Sequence, residues 1–428
     1  MNAEPGKTKK TAKRRILCVT SNFPRWAGDS TTPFVLHLAQ DLQEYGWTVD
    51  VLAPHAPGAA KKEELGGVSV KRFRYFWPEA SENICYQGGA LVNLRKSKVT
   101  ALKLPFLIVA EWLAVCRLLL SRNYDAAHFH WILPQGFVGA VSAKLLGIPY
   151  VVTVHGGDVF ALRGRILLQF KRIAISAANT VTANSSATEK AVLKIHGAPK
   201  ELRRIPMGVS VRDVAKQSKE VRAIRGQYRR GKGPLLAFIG RLVEEKGCAD
   251  FIEAVSILKS ELPEVSAIII GEGQDREAME GLATQLGLAN RICFTGWVQP
   301  DKVLEHLAAA DIFIGPSRTS VDGWVEAQGL TFIEAMVART PVIATRVGGI
   351  VDSVVDGQTG LLVDERSPSQ IAAAVLRILR NDELRANIVE AGLAQAVDRF
   401  SRSASATAFS SLFSHLIAKQ GGYEDERR

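Results

Sequence analysis

Strand-length apolar runs alternate with helix-period segments along nearly the whole chain, and this alternation restricts the fold more than any single motif does. ILCVT (16–20) is a buried-strand run. Behind it, Pro33 suits a first helical position after Thr32, and Phe34, Leu38 and Leu42 recur at helical spacing before TVDVLAP (48–54) reads as strand again. Strand, helix, strand in so short a span indicates a parallel βαβ unit. The series continues through YDAAHFH, a helix after Pro134, PYVVTV, a helix over 165–177, TVTAN and RRIPMG. A second series starts at LLAFIG and runs through a helix at 248–258, VSAIIIGEG, helices near 275–286 and 302–310, DIFIGPS, the FIEAMVA segment, PVIAT, GLLV and two long helical patterns. Between the two series the chain turns polar and basic and ends in a Gly/Pro break. The expectation is two doubly wound α/β domains, 14–210 and 211–400, hinged near 208–214, with the last helix (401–420) crossing back to the first domain. A length of 428 residues fits that division.

Hydrophobic residues at 47% and charged ones at 23% describe a soluble globular protein, with neither a solenoid-period repeat nor a low-complexity tract. The formal charge of +11 is unevenly placed: residues 1–210 carry 28 Lys and Arg against 14 Asp and Glu, and the remainder 26 against 29. Nucleic acid, an anionic membrane surface or a phosphorylated substrate would each account for a basic half, and so would plain solubility. Cys18, Cys85, Cys116, Cys248 and Cys293 are scattered, odd in number and never in a C-x-x-C pair, so a reducing compartment and no zinc site are expected. The basic N-terminus GKTKKTAKRR precedes an apolar run too short for a signal-peptide core and reads as a floppy cytosolic arm. The stretch 102–120, LKLPFLIVAEWLAVCRLLL, comes nearest to a membrane span. Glu111 and Arg117 interrupt it and Pro105 suits a helix start, so it reads as an amphipathic or core helix, with an interfacial membrane helix as the alternative.

Residues suited to chemistry gather at strand exits, where ligands of open α/β sheets bind. Gly240, Arg241, Lys246 and Gly247 follow a strand and precede a helix: a glycine-rich turn brings backbone N–H groups to an anion, and Arg and Lys add a fork and a point charge. A solvated loop in which Glu244 and Glu245 pair those cations is the competing view. The GEG of 271–273 lacks the third glycine of a dinucleotide fingerprint and reads as a tight turn. In DGWVEAQGLTFIEAM, seven residues separate Glu326 from Glu334. Thr331 and Glu334 fit a capping box, yet carboxylates are also natural acceptors for vicinal hydroxyls of sugar and ribose rings. Gly348 and Gly349 end another strand. In the first half, TVHGGD places His155 beside two glycines at a strand exit, and Asp158 there either orients the imidazole or caps the next helix. His128 and His130 alternate onto one face of the neighbouring strand, and at least one of them belongs to the core.

Taken in order, GRLVEEKG, IGEG, FTGWV, ADIFIGPS, E-x7-E with EAM, PVIAT and GG, together with TVHGGDV and IPMGV, resemble the retaining glycosyltransferases of family 4 over residues 15–413. The resemblance implies the GT-B fold, two Rossmann-like domains facing each other across a cleft. It implies a nucleotide-sugar donor held by the C-terminal domain and a glycan, lipid-linked or phosphorylated acceptor held by the N-terminal one. By the same resemblance Arg241 and Lys246 hold the donor pyrophosphate, Glu334 the ribose, Glu326 the transferred sugar, and the backbone of Gly296 to Val298 the base. Gly240, Gly271, Gly329, Leu330 and Thr331 complete the donor site. His155 lies beside the reacting centre, with Asp158 and His130 toward the acceptor. His155, Arg241, Lys246 and Glu326 form the catalytic set, and two cations for the leaving diphosphate leave no requirement for a metal or other cofactor. Expected partners are the donor, the acceptor and, peripherally, an anionic membrane at its cytoplasmic face, but not nucleic acid. A sugar-nucleotide epimerase or phosphorylase of the same fold, or a non-catalytic binding subunit, are the alternatives.

The sequence departs from the family pattern at four places. Ala327-Gln328 follows the first acid where Gly-Phe is usual, Asp352 replaces a common Glu, and the first loop lacks a double glycine. Arg339 stands where glycine often ends the helix, so that helix is expected to end without a left-handed cap.

Overall fold

The computed structural model describes residues 14–425 apart from 30, 32, 87, 88, 91, 92, 95, 96, 122 and 162, with side chains through 420. The N-terminal arm up to residue 13 and Thr32 lie outside the described residues. The first domain is built on eight strands: β1 Arg14–Val19, β2 Trp47–Pro54, β3 Lys62–Leu65, β4 Val68–Phe73, β5 Ala126–His130, β6 Tyr150–Val154, β7 Thr180–Ala183 and β8 Leu202–Arg204. Their order is β3-β4-β2-β1-β5-β6-β7-β8, parallel except for the antiparallel β3–β4 hairpin. The reading from sequence passed over that hairpin. Polar β3 buries only Leu65, so its burial lacks the apolar run that marks the inner strands.

The second domain has six parallel strands: β9 Leu235–Ile239, β10 Ser266–Ile270, β11 Ile292–Gly296, β12 Ile312–Gly315, β13 Val342–Thr345 and β14 Leu361–Val363, in the order β11-β10-β9-β12-β13-β14. Helices cover both faces of each sheet, which is why strands such as YVVTV (β6) and SAIII (β10) are buried throughout and read as continuous apolar runs. The order reverses between β1 and β5 in one sheet and between β9 and β12 in the other. Those are the topological switch points, where crevices open at the carboxyl ends of strands.

The chain passes between the domains twice. Residue 208 has no room for a side chain: a Cβ on Gly208 would lie 2.4 Å from the carbonyl oxygen of Ser401. Beside it, Val209 N–H donates to Phe400 O at 2.8 Å and Arg402 N–H to Val209 O at 3.0 Å, tying the two crossings together. The helix Arg402–Asp425 then packs on the first domain, burying Phe409, Leu412 and Phe413 against Trp47 and its neighbours. Trp47 Nε1–H donates to Ser410 Oγ at 2.9 Å, and Arg402 pairs with Asp41.

Candidate active site

The β9 and β12 loops flank the second switch point, and their glycines set how closely they approach. Gly247 is left-handed (φ 71°), and a Cβ there would meet the Pro316 carbonyl oxygen at 1.8 Å. This contact presses the Arg241–Lys246 turn against the segment leading to Glu326. Lys246 Nζ donates to Glu326 Oε2 and lies 5.7 Å from the centre of the Trp324 ring. The two residues assigned to pyrophosphate and sugar are thus an ion pair, although 80 residues separate them in sequence. Arg241 is exposed and, with Trp324, borders the space between the domains. A small cavity of about 70 Å³ beside the pair is lined by Lys246, Glu326, Gly329, Leu330 and Thr331.

Glu334 does not close a capping box. The helix Leu330–Val337 starts one residue earlier than Thr331, from left-handed Gly329 (φ 74°), and no side chain caps it. A Cβ on Gly329 would stand 2.5 Å from the Phe332 ring, so close packing of the loop sets the start of the helix. Glu334 therefore accepts no hydrogen bond from a described residue. The residue is half-buried, and burial pushes its carboxyl up to about 7. Arg339 also departs from expectation: it is left-handed at φ 54°. The Thr340 N–H to Ala335 O bond at 2.9 Å and the Arg339 N–H to Met336 O bond at 3.0 Å close the helix end, and the exposed guanidinium pairs with Glu390.

The other positions expected to meet the donor lie along the same strand ends. Gly271 (φ 139°) lets the β10 turn touch the β9 turn, since a Cβ would sit 1.9 Å from Gly240 O. Gly296 (φ 73°) turns the chain beside Glu272, Val298 packs on the domain core, and Trp297 between them is 56% exposed.

Across the cleft, His155 is half-buried at the end of β6. Its Nε2 and His130 Nδ1 are 2.9 Å apart, their rings stack, and Phe34 and Trp131 flank them. Burial pushes His155 to about 3 and His130 well below its usual value, so both are neutral at physiological pH. His130 is fully buried and reaches the cleft only through His155, which corrects its assignment to the acceptor. His128 is core as well, bonded to Thr153 at 2.6 Å. Asp158 is 2% exposed, and its carboxylate accepts from the backbone N–H groups of Ile132, His155 and Gly156. It braces the loop that carries His155 and, although almost fully buried, borders the same cavity as Arg241 and Trp324.

Three contacts missed in the sequence join the halves. Gly156 (φ 110°) leaves room for Ala327, whose Cβ would lie 2.4 Å from a Cβ at 156. Gln328 accepts from Met207 N at 3.0 Å and donates to Met207 O at 2.8 Å. Asp352 accepts from Ser186 Oγ at 2.6 Å and from its N–H. All three draw on positions already noted as departing from the family pattern or as adjoining glycines, but their partners lie more than a hundred residues away. Among the described residues no group of three His, Cys, Asp or Glu side chains is placed to hold a metal ion.

Two Rossmann-like domains with cations and carboxylates on one lip and a neutral imidazole on the other define a glycosyltransferase of the GT-B fold. Residues 32–213 match the model for Glycosyltransferase Family 4, and residues 220–395 match that for Glycosyl transferases group 1. The chain belongs to glycosyltransferase family 4. It is 30% identical over 319 residues to the D-inositol 3-phosphate glycosyltransferase of Acidothermus cellulolyticus, covering 69% of each chain. It is 29% identical to the GDP-mannose-dependent alpha-(1-6)-phosphatidylinositol monomannoside mannosyltransferase of Mycolicibacterium smegmatis, over 70% of this chain and 78% of that one. The fold is shared with sucrose-phosphate synthase from Thermosynechococcus elongatus (TM-score 0.77, 23% identity, 95% of this chain and 100% of that one). It is also shared with Anabaena HepE in complex with UDP-glucose (TM-score 0.71, 20% identity, 94% and 99%).

Proposed function

We propose that this glycosyltransferase is retaining, taking a sugar from a nucleotide-sugar bound by the second domain and passing it to a glycan, lipid-linked or phosphorylated acceptor on the first. The observation that carries this reading is the convergence of Arg241, the Lys246–Glu326 pair and unpartnered Glu334 at one switch point, opposite His155. Arg241 and Lys246 stabilise the diphosphate as its negative charge grows during departure. Lys246 is already matched to an anion, Glu326, so a pyrophosphate arriving there exchanges one ionic partner for another and frees Glu326 to accept from sugar hydroxyls. Glu334 has its lone pairs available for a ribose diol. Being neutral, His155 orients the sugar or acceptor through a hydrogen bond and adds no charge. The two cations do the work a divalent metal does elsewhere, and no metal or cofactor is assigned to the reaction.

The named activities of the mannosyl- and inositol-phosphate-directed relatives, and HepE's binding of UDP-glucose, favour a nucleotide-sugar donor and an anionic acceptor. The basic first half favours work at the cytoplasmic face of a membrane. The test is a thermal-shift screen across sugar nucleotides with the full chain, since a bound donor raises the melting temperature by mass action. Arg241→Ala and Glu334→Ala should each weaken the responding donor roughly tenfold or more. Unchanged nucleotide affinity in both removes the donor-site assignment.

A further inference from the structure

A cavity of about 720 Å³ borders the cleft, walled mostly by the first domain. It is within the size range of sites that enclose a small molecule. Its lining is graded. Arg241 and Trp324 reach it from the donor side, and Asn22 and Ser21 from the β1 loop. The rest of the wall is largely hydrocarbon, with Leu104, Leu107 and Ile108 from the helix Leu104–Ser121, and Phe137, Leu167 and Phe170 from the helices Phe137–Leu145 and Arg165–Ala177; the buried carboxylate of Asp158 also borders it.

The wall of the cavity continues into an unusual outer surface. Phe106, Val109, Leu113 and Leu120 recur along one side of the Leu104–Ser121 helix and are 58%, 52%, 56% and 72% exposed. Lys98–Ser121 is long and apolar enough to cross a membrane, yet only 28% of its most apolar window is buried. Isolated exposed leucines need no explanation, but a stripe this long on a helix that also walls a cavity does. The surrounding chain is basic: residues 98–177 carry nine Lys and Arg against three Asp and Glu, and two of those acids, Glu111 and Asp158, are buried.

We propose that this cavity holds the hydrocarbon chain of an amphiphilic, phosphate-bearing acceptor. The polar head stands at the Arg241–Trp324 end, and the exposed stripe is where the chain enters from a lipid phase. This rests on the glycosyl-transfer reading and narrows its acceptor to an anionic lipid. An acceptor that is all carbohydrate would leave the apolar walls without a partner, whereas a hydrocarbon chain matches them and a phosphate matches the Arg241 guanidinium.

The experiment uses the full chain and a homologous series of alkyl phosphates below their micellar concentrations, followed by calorimetric titration. Each methylene added to a buried chain should tighten binding by up to roughly fourfold, so dodecyl phosphate should bind several-fold and up to about sixteenfold more tightly than decyl phosphate, at one per chain. Ile108→Arg and Leu167→Arg, on two different helices and both only partly buried, should each abolish that chain-length dependence. Their melting-temperature shift with the responding sugar nucleotide should stay unchanged, which shows that they fold and keep the donor site.

Affinity independent of chain length, or equal in the parent and both variants, overturns the proposal. So does binding seen only with anionic vesicles and unaffected by either variant, which would assign the stripe to membrane docking alone. If the alkyl phosphates bind as expected while no sugar nucleotide shifts the melting temperature, the chain site stands and the glycosyl-transfer reading fails.

Discussion

At Glu334 a structural cost and the proposed ribose contact share one proton. Burial raises its carboxyl to about 7 in the folded protein, while the same group in the unfolded chain ionises near 4.3. Between those values the folded state holds the proton longer. The stability of the protein therefore falls as pH rises through that window and is fully present below it. Glu334→Gln removes this dependence. Relative to the parent, the variant should gain on the order of 1–3 kcal/mol between pH 5 and pH 8, allowing for the residue's being only half-buried. Melting curves at several pH values measure it, and a constant difference would contradict the shifted carboxyl. If Glu334 holds the ribose as proposed, the proton also governs binding, because a carboxylate accepts from two ribose hydroxyls better than a carboxylic acid does. Donor affinity should rise from about pH 6 to about pH 8, and this rise should vanish in Glu334→Gln. At Lys246 the consequence is kinetic. Lys246→Ala removes a cation from the leaving diphosphate, so kcat should drop on the order of a hundredfold or more with a smaller change in donor KM. A loss confined to KM would place Lys246 in ground-state binding only.

At the scale of elements, the loops around the second switch point are held by backbone approach as much as by side chains. Gly247→Ala meets two obstacles at once, a left-handed conformation and the Pro316 carbonyl 1.8 Å from the new Cβ. It should destabilise the second domain by about 2–4 kcal/mol and separate the Lys246 and Glu326 loops, with a loss of donor-induced thermal shift as the readout. Such approaches explain what could be read from the sequence. β10 was plain because it is apolar on both faces, whereas β3 was hidden because KEEL lies at a sheet edge and buries only Leu65. The Gly66-Gly67 pair joining β3 to β4, both at positive φ, was the available signal for the hairpin. Thr331 and Glu334 have the spacing of a capping box, but Gly329 packed on Phe332 starts the helix sooner, and no local pattern reports that. The strand exits that carry Lys246, Glu326 and His155 were legible. Their pairing with one another was not, since it depends on β9 lying beside β12 and β5 beside β6.

In the whole molecule, the proposed transfer uses two domains that each carry half of the site, so on that reading the contacts fixing their separation belong to the mechanism. Both polar atoms of the Gln328 amide are spent on the backbone of Met207 at the hinge, and Asp352 holds the N-terminus of the helix Ser186–Ile195. Gln328 is buried, and Gln328→Ala leaves the N–H and C=O of Met207 without partners, a loss on the order of 1–3 kcal/mol. Asp352→Ala removes the second clamp at a distinct contact, so the double variant should add the two effects unless opening at one releases the other. The consequence expected is geometric. With both clamps gone the cleft widens, the radius of gyration in solution scattering increases, and kcat falls because His155 no longer meets the sugar held by the second domain. Donor affinity should change little, since every residue assigned to the nucleotide lies on the second domain. A wider particle with undiminished kcat would mean that the domains close on substrate without these clamps. An unchanged radius would mean that the C-terminal helix, through Phe409 and Phe413, holds the domains together by itself.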